Sequence, residues 1–302
     1  NNFIFKIYII NNRLIINYNG AQMKYYINIF IFLSLTFSQA EQPYPPLDLV
    51  TIPTSGTLPK GSFTLESLLI KDGGIVPKLS VGITDNFYIG LSYGIQDFIS
   101  EEKLNFNKPM PEVQIKYRVY EESETVPAIV FGLDTQGKGR FLTRYENDEN
   151  LVNNFQRYEQ KAWGWYIVAS KNWELFGNLG LHVGLNKNTW ESDPVESDNP
   201  NTVFKDKDLN LFFGIDKEIN RSFSILLEYD TALNDNDPEI GYDLFGRGKG
   251  YLNAGIRWIV GKNIMLEIDF NDISKNYIHN EITHDQKEYS NRELKIIYFE
   301  KF

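Results

Sequence analysis

Apolar and polar residues alternate at every second position along segment 251–273, a pattern that most of this chain repeats. A short break at 261–263 divides the segment into two runs. Successive side chains of a β-strand point to opposite faces, so this pattern predicts a hairpin with one apolar face and one charged face. The apolar positions are Leu252, Ala254, Ile256, Trp258, Leu266, Ile268 and Phe270.

Strand-like runs of this kind continue from residue 62 to residue 302, and we find no helical period between them. About twelve strands are predicted, at 62–71, 75–84, 86–96, 112–121, 125–136, 161–172, 176–188, 207–217, 222–233, 250–260, 263–273 and 292–302. From the second strand onward, short and long connections alternate. The long connections are 97–111, 137–160, 189–206, 234–249 and 274–291.

The alternation of short and long connections indicates a barrel. In an up-and-down meander every second connection lies at the same end, so all the long loops share one rim. Short turns at one end and long loops at the other are typical of outer-membrane barrels. We therefore predict an all-β fold, an antiparallel up-and-down transmembrane β-barrel of about 12 strands, in a bacterial outer membrane. The competing architecture is a soluble periplasmic β-sandwich that binds a ligand.

Charge is confined to one face of the predicted strands, and this favours the barrel because lipid would cover the uncharged face. If the polar face points inward, the lumen or pore lining is formed by Lys78, Lys116, Arg118, Asp134, Asp216, Glu228, Asp230, Arg257, Glu267 and Asp269. Two interpretations stay open. Buried charges must be paired, so these side chains could fill a narrow lumen as a salt-bridged plug. Alternatively, a basic wall facing an acidic one would select small polar or zwitterionic solutes.

The N-terminal region has three predicted parts. Residues 23–40 form a signal peptide, with an apolar run before the small residues that precede cleavage near Ala40. Residues 1–22 are interpreted as translated upstream sequence, not as part of the fold. Residues 41–60 form a proline-rich arm, which cannot be a central strand because proline lacks the ladder donor. Residues 61–302 form the barrel.

Several segments resemble one family of outer-membrane barrels, similar to the YjbH proteins that are linked to exopolysaccharide production in Gram-negative envelopes. They are 111–122 (PEVQIKYRVYEE), 128–137 (AIVFGLDTQG), 170–173 (SKNW), 228–237 (EYDTALNDND) and 247–258 (RGKGYLNAGIRW). The resemblance implies a barrel associated with surface polysaccharide, and it carries no catalytic residues. The last strand ends in Phe302, which resembles the signal read by the barrel-assembly machinery. Outer-membrane lipid, this machinery and polysaccharide or small polar solutes are the expected partners.

Other function classes find less support. The net charge of −10 argues against nucleic acid as a partner, and the absence of cysteine excludes disulfides and thiolate metal sites. We expect no cofactor and no metal, and we interpret the acidic segments 146–150, 191–198 and 234–239 as solvated loops. A membrane-embedded hydrolase of lipid or lipopolysaccharide is the enzymatic alternative. It needs a serine and a histidine on the outward face near the rim, oriented by a third polar group, and no strand shows that pairing. We interpret His182 as an ordinary lumen residue, and His279 and His284 lie in the last long loop.

Overall fold

The computed structural model describes residues 6–10, 13–18, 21–22, 43–101, 103–142, 156–192, 208–235, 250–274 and 291–302. The chain divides into two compact units, 1–39 and 40–302. The first unit contains a three-stranded antiparallel sheet formed by Lys6–Ile10, Arg13–Tyr18 and Ala21–Gln22. None of the helical residues described forms a segment long and apolar enough to cross a membrane.

The second unit is a closed antiparallel barrel, as the sequence predicts. Each strand pairs with the next along the chain, and the last strand pairs with the first through contacts such as Leu294 with Leu69. The twelve barrel strands are β1 Ser62–Leu69, β2 Ile75–Thr84, β3 Phe87–Ser92, β4 Glu112–Tyr120, β5 Ala128–Asp134, β6 Gly164–Glu174, β7 Asn178–Lys187, β8 Asn210–Asn220, β9 Phe223–Asp230, β10 Tyr251–Ile259, β11 Ile264–Asn271 and β12 Asn291–Lys301. The alternative of a soluble sandwich is therefore wrong, because the strands form one closed sheet.

Strand ends differ from the predicted ones where the backbone turns. A 3₁₀ turn at Lys71–Gly73 ends β1 early. The sixth strand begins at Gly164, whose φ of 67° is a conformation that glycine adopts readily. The loop after β5 is not irregular throughout, because Lys138–Leu142 pairs with Arg157–Gln160 as a separate hairpin.

The outward face of the barrel is apolar and exposed, which suits a surface in contact with lipid. Leu91 of β3 and Ile268 of β11 are 50% and 51% exposed. Aromatic rings stack on this face near both ends of the wall. Phe131 and Trp165 have centroids 5.4 Å apart, and Phe223 and Trp258 have centroids 5.6 Å apart. Aromatic girdles at both interfaces are typical of transmembrane barrels.

Residues 43–60, here called the arm, fold back into the barrel. Leu49, Ile52 and Leu58 in this segment are fully buried. The centre of the arm is a tight antiparallel turn, residues 47–54, here called the arm turn. Its bonds run from the Leu49 amide to the Ile52 carbonyl (3.0 Å) and from the Thr54 amide to the Leu47 carbonyl (3.1 Å). The barrel therefore encloses its own N-terminal segment.

Candidate functional site: the occupied lumen

Glu228, on β9, binds the tip of the arm turn. Its carboxylate accepts hydrogen bonds from the backbone amides of Val50 (3.0 Å), Thr51 (2.9 Å) and Ile52 (3.1 Å). Successive amides that converge in this way form an anion-binding concavity. The side chain of Asn253 donates a further bond at 2.7 Å. In the part of the chain that is described, Glu228 has no cationic partner, so the arm supplies most of its compensation.

Lys116, on β4, binds the base of the same turn. Its ammonium donates to the backbone carbonyls of Leu47 (2.5 Å) and Thr54 (3.1 Å). The ring of Tyr88 lies 5.5 Å away, within cation–π range. Among the described residues no carboxylate forms an ion pair with Lys116, which is 1% exposed. The arm therefore compensates this charge as well.

A second group of charges flanks the arm turn and is paired mainly within the barrel wall. Glu267 binds Arg257 at 2.5 Å and Lys295 at 2.5 Å. Both cations also reach the arm: Arg257 donates to the carbonyl of Asp48 (2.9 Å), and Lys295 donates to the carbonyl of Leu49 (3.1 Å). Buried charges are retained at tolerable cost only when paired and hydrogen-bonded, and these charges meet that condition.

Asp269 forms no close ion pair among the described residues. The closest cation among them is Lys295, at 3.9 Å. Both of its carboxylate oxygens are buried and have no hydrogen-bond partner among the described residues. Lys78 binds Glu66 at 3.6 Å and Asp48 of the arm at 3.4 Å.

The other predicted lining residues lie nearer the two ends of the barrel. Arg118 is at the short-turn rim, where its guanidinium donates to the Asn86 side chain (2.9 Å), instead of forming a basic wall with Lys116. Asp134 and Asp230 are at the long-loop end and accept bonds from Gln114 (3.1 Å) and Asn210 (2.6 Å) respectively.

Asp216 belongs to a Ser–His–Asp chain that the sequence analysis missed. Ser170, His182 and Asp216 point inward from the adjacent strands β6, β7 and β8. Nδ1 of His182 lies 2.7 Å from Oγ of Ser170, and Nε2 lies 2.7 Å from Oδ1 of Asp216. The serine is buried and its Oγ accepts the Ser55 amide of the arm at 2.9 Å. All three side chains lie in the lumen and not on the outward face, and this series of hydrogen bonds connects the arm to the wall.

Open cavities lie near the two ends of the barrel. The long-loop cavity is lined by carboxylates, lysines, side-chain amides and the ring of Trp163, whose Nε1 donates to the Thr51 carbonyl (2.9 Å). The short-turn cavity is bordered by prolines of the arm and by Asp216. The arm lines both cavities and lies between the walls of the barrel.

Two acidic residues of the long-loop side, Asp235 and Glu191, are buried and hydrogen-bonded. The prediction that their segments are solvated loops is wrong at these two positions. Arg157 binds Asp235 at 2.5 Å. Burial alone would raise the pKa of Asp235, but Arg157 and Lys161 outweigh it and lower the pKa to about 2. Glu191 accepts the amides of Tyr158 (3.2 Å) and Ala162 (3.0 Å), and burial raises its pKa to about 7.

The remaining predictions on acidic loops and histidines concern 146–150, 193–198, 236–239, His279 and His284, which lie outside the described residues. Within those residues, no group of three or more His, Asp and Glu side chains is placed to hold a metal ion.

The predicted lining lacks four buried charges of the barrel strands, Glu66, Glu112, Glu293 and Lys295. Glu66 lies on β1, where apolar and polar residues do not alternate regularly. Lys295 lies on the same face of its strand as Glu293, Ile297 and Phe299. The alternation of faces along the strand could therefore have placed Lys295 inward. The contacts of Lys116 and Glu228 could not be found in this way, because their partners are backbone groups of the arm.

These features define a membrane-spanning β-barrel whose lumen is occupied by its own N-terminal arm. No protein-family model matches the chain, and no curated protein matches it. Among solved structures it is similar to the KdgM porin, with 10% identity and a TM-score of 0.39 over 80% of this chain and 99% of that one. It is also similar to the NanC porin, with 11% identity and a TM-score of 0.42 over 79% of this chain and 99% of that one. A third is the outer membrane protein Omp33 of Acinetobacter baumannii, with 8% identity and a TM-score of 0.37 over 80% and 97%. The class of protein rests on the barrel itself and not on these likenesses.

Proposed function

We propose that this chain is an outer-membrane channel for small polar solutes that its own arm holds closed. The observation that carries the proposal is the position of the arm turn between two walls. Its tip is bound by Glu228 and its base by Lys116. Neither residue has an oppositely charged partner among the described residues, so the lumen is built around the arm and conducts only when the arm leaves.

The experiment records ion currents through the purified full chain in planar lipid bilayers. The wild type is expected to stay closed for most of the recording. Lys116→Met and Glu228→Leu remove the bonds that hold the base and the tip, so both variants are expected to open far more often. Equal, high conductance of all three proteins would contradict a plug. Absence of current from all three would contradict a channel and indicate a closed scaffold.

Matched controls separate loss of the arm contacts from loss of charge alone. Lys301→Met and Glu121→Leu make the same chemical changes at exposed positions near the short-turn rim. Both control variants are expected to behave like the wild type. Heat-modifiable gel mobility confirms that every variant has folded as a barrel, so an unfolded protein cannot be mistaken for a closed one.

Localisation and partners follow from the same proposal. A signal peptide removed near Ala40 would deliver the chain to the periplasm, and the barrel-assembly machinery would insert it with lipid against the apolar face. Cell fractionation is the test. Recovery of the mature protein in the soluble periplasmic fraction would contradict the proposal.

A second candidate function is binding of surface polysaccharide, which the resemblance to YjbH proteins implies. The long-loop cavity favours it, because side-chain amides and an aromatic ring are groups that bind sugars. The relevant residues are Gln114, Gln136, Gln160, Asn186, Asn210 and Trp163. Titration of the wild type with maltotriose, a neutral probe, should change tryptophan fluorescence, and Trp163→Phe should abolish the change. An unchanged response in the variant would contradict this candidate.

A further inference from the structure

We infer that the lumen, once the arm has left it, binds short zwitterionic peptides in extended form, with the peptide ammonium at Glu228 and the peptide carboxylate at Lys116. The inference rests on the proposed function, since it names the solutes for which the arm makes way.

Lys116 and Glu228 lie on nearly opposite walls of the lumen. Strand β4 and strand β9 are five strands apart in one direction around the barrel and seven in the other. The arm turn spans the space between them, with its carbonyls toward Lys116 and its amides toward Glu228. The lumen thus already recognises a peptide backbone, through an anion at one side and a cation at the other.

These two charges differ from their neighbours in what remains when the arm leaves. Arg257 keeps Glu267, Lys295 keeps Glu267, and Lys78 keeps Glu66, because these partners all belong to the wall. By contrast, Lys116 loses both carbonyls, and Glu228 keeps only the Asn253 amide. Among the described wall charges, Lys116 and Glu228 are therefore the two that depend mainly on the arm for compensation. A solute with two opposite charges can replace the arm at both.

The arm turn also sets the length of the solute. Val50, bound at the tip, lies three positions after Leu47, bound at the base. An extended chain rises about 3.3 Å per residue, so the two contacts are at most about 10 Å apart. The charged ends of an extended peptide of about three or four residues are separated by a similar distance. Single amino acids are too short to reach both groups at once.

The test uses the full chain with the arm expelled by Leu49→Asp/Ile52→Asp. Both replaced residues are fully buried in the lumen, and the new carboxylates would repel Glu228 without altering either binding residue. Trialanine is added while ion current is recorded, and its block of the current is compared with that of N-acetyl-trialanine and of trialanine amide. The zwitterion should bind at least about tenfold more tightly than either capped peptide, the change expected when one charged contact worth about 1.4 kcal/mol is lost.

Further substitutions in the same background assign each end of the peptide. Lys116→Met should abolish the preference for trialanine over its amide, while the preference over the acetylated peptide stays. Glu228→Leu should do the reverse. Equal block by all three peptides, or preferences that neither substitution moves, would overturn the inference. A background variant that folds but carries no current would instead contradict the channel itself, so the two failures are distinguishable.

Discussion

Lys116 and Glu228 never touch, yet one turn of the arm satisfies both. The ammonium binds the carbonyls of Leu47 and Thr54, and the carboxylate binds the amides of Val50, Thr51 and Ile52. Because backbone groups make these contacts, the arm compensates opposite charges without carrying matching ones. Removing either wall residue therefore loosens the arm and leaves the other charge buried with less compensation.

Gly214 provides space for the arm, and filling that space should open the barrel. A Cβ at this position would lie 2.6 Å from the terminal carbons of both Ile52 and Leu49. Gly214→Val should therefore displace the arm and raise the open fraction in bilayer recordings severalfold. Gly261→Val is the control, because a Cβ there meets no atom within 4 Å. Closed channels in both variants would contradict the packing described for the arm.

Ser170, His182 and Asp216 should act in arm binding and not in ester hydrolysis. The Oγ of Ser170 accepts the Ser55 amide and is buried. We expect no release of fatty acid from lipid vesicles by the wild type, and no labelling of Ser170 by a fluorophosphonate. Ser170→Ala should instead increase hydrogen exchange at Ser55 by roughly fivefold, as expected for loss of about 1 kcal/mol. A labelled Ser170 would restore the hydrolase alternative.

A charged substitution on the outward face should destabilise the barrel most at the centre of the membrane. Ile268 is in the middle of β11, while Ile264 begins that strand at the short-turn end, and both side chains are exposed. Ile268→Arg should lower the free energy of unfolding in lipid vesicles by roughly 2–4 kcal/mol, and Ile264→Arg by only about 0–1 kcal/mol. Equal costs at the two positions would argue against a bilayer around this strand.

Glu191 should make the long-loop side more stable in acid. Burial raises its pKa from 4.5 to about 7 in the folded protein, so its contribution is complete below pH 4.5 and is lost as the pH rises through about 7. The loss is on the order of 3 kcal/mol of local opening free energy. Hydrogen exchange at the Ala162 amide, corrected for intrinsic rate, measures it. Glu191→Gln should flatten the pH dependence, and the exposed-site control Glu121→Gln should leave it unchanged.

Much of the barrel could be predicted because period-two alternation reports directly on the two faces of a strand. Arg257 and Glu267 occupy polar positions on neighbouring predicted strands, and they pair in the lumen. The occupied state of the lumen could not be predicted. The arm turn lacks strand alternation, and its partners recognise carbonyls and amides that every residue possesses. Asp235 and Glu191 were misjudged for a similar reason, since their burial depends on packing of the long-loop side and not on local pattern.

The measurement that tests the central claim most directly is disulfide trapping of the arm inside the barrel. The chain has no cysteine, so Ser55→Cys/Ser170→Cys introduces the only two thiols, at positions where the Ser55 amide contacts the Ser170 hydroxyl at 2.9 Å. Ser55→Cys/Ser224→Cys, with the second cysteine on β9, is the control. If the arm occupies the lumen, mild oxidation of the folded protein cross-links the first pair almost completely, leaves the control largely free, and holds the channel closed until reductant is added. Absence of the Ser55–Ser170 cross-link, or equal cross-linking of both pairs, would contradict the account.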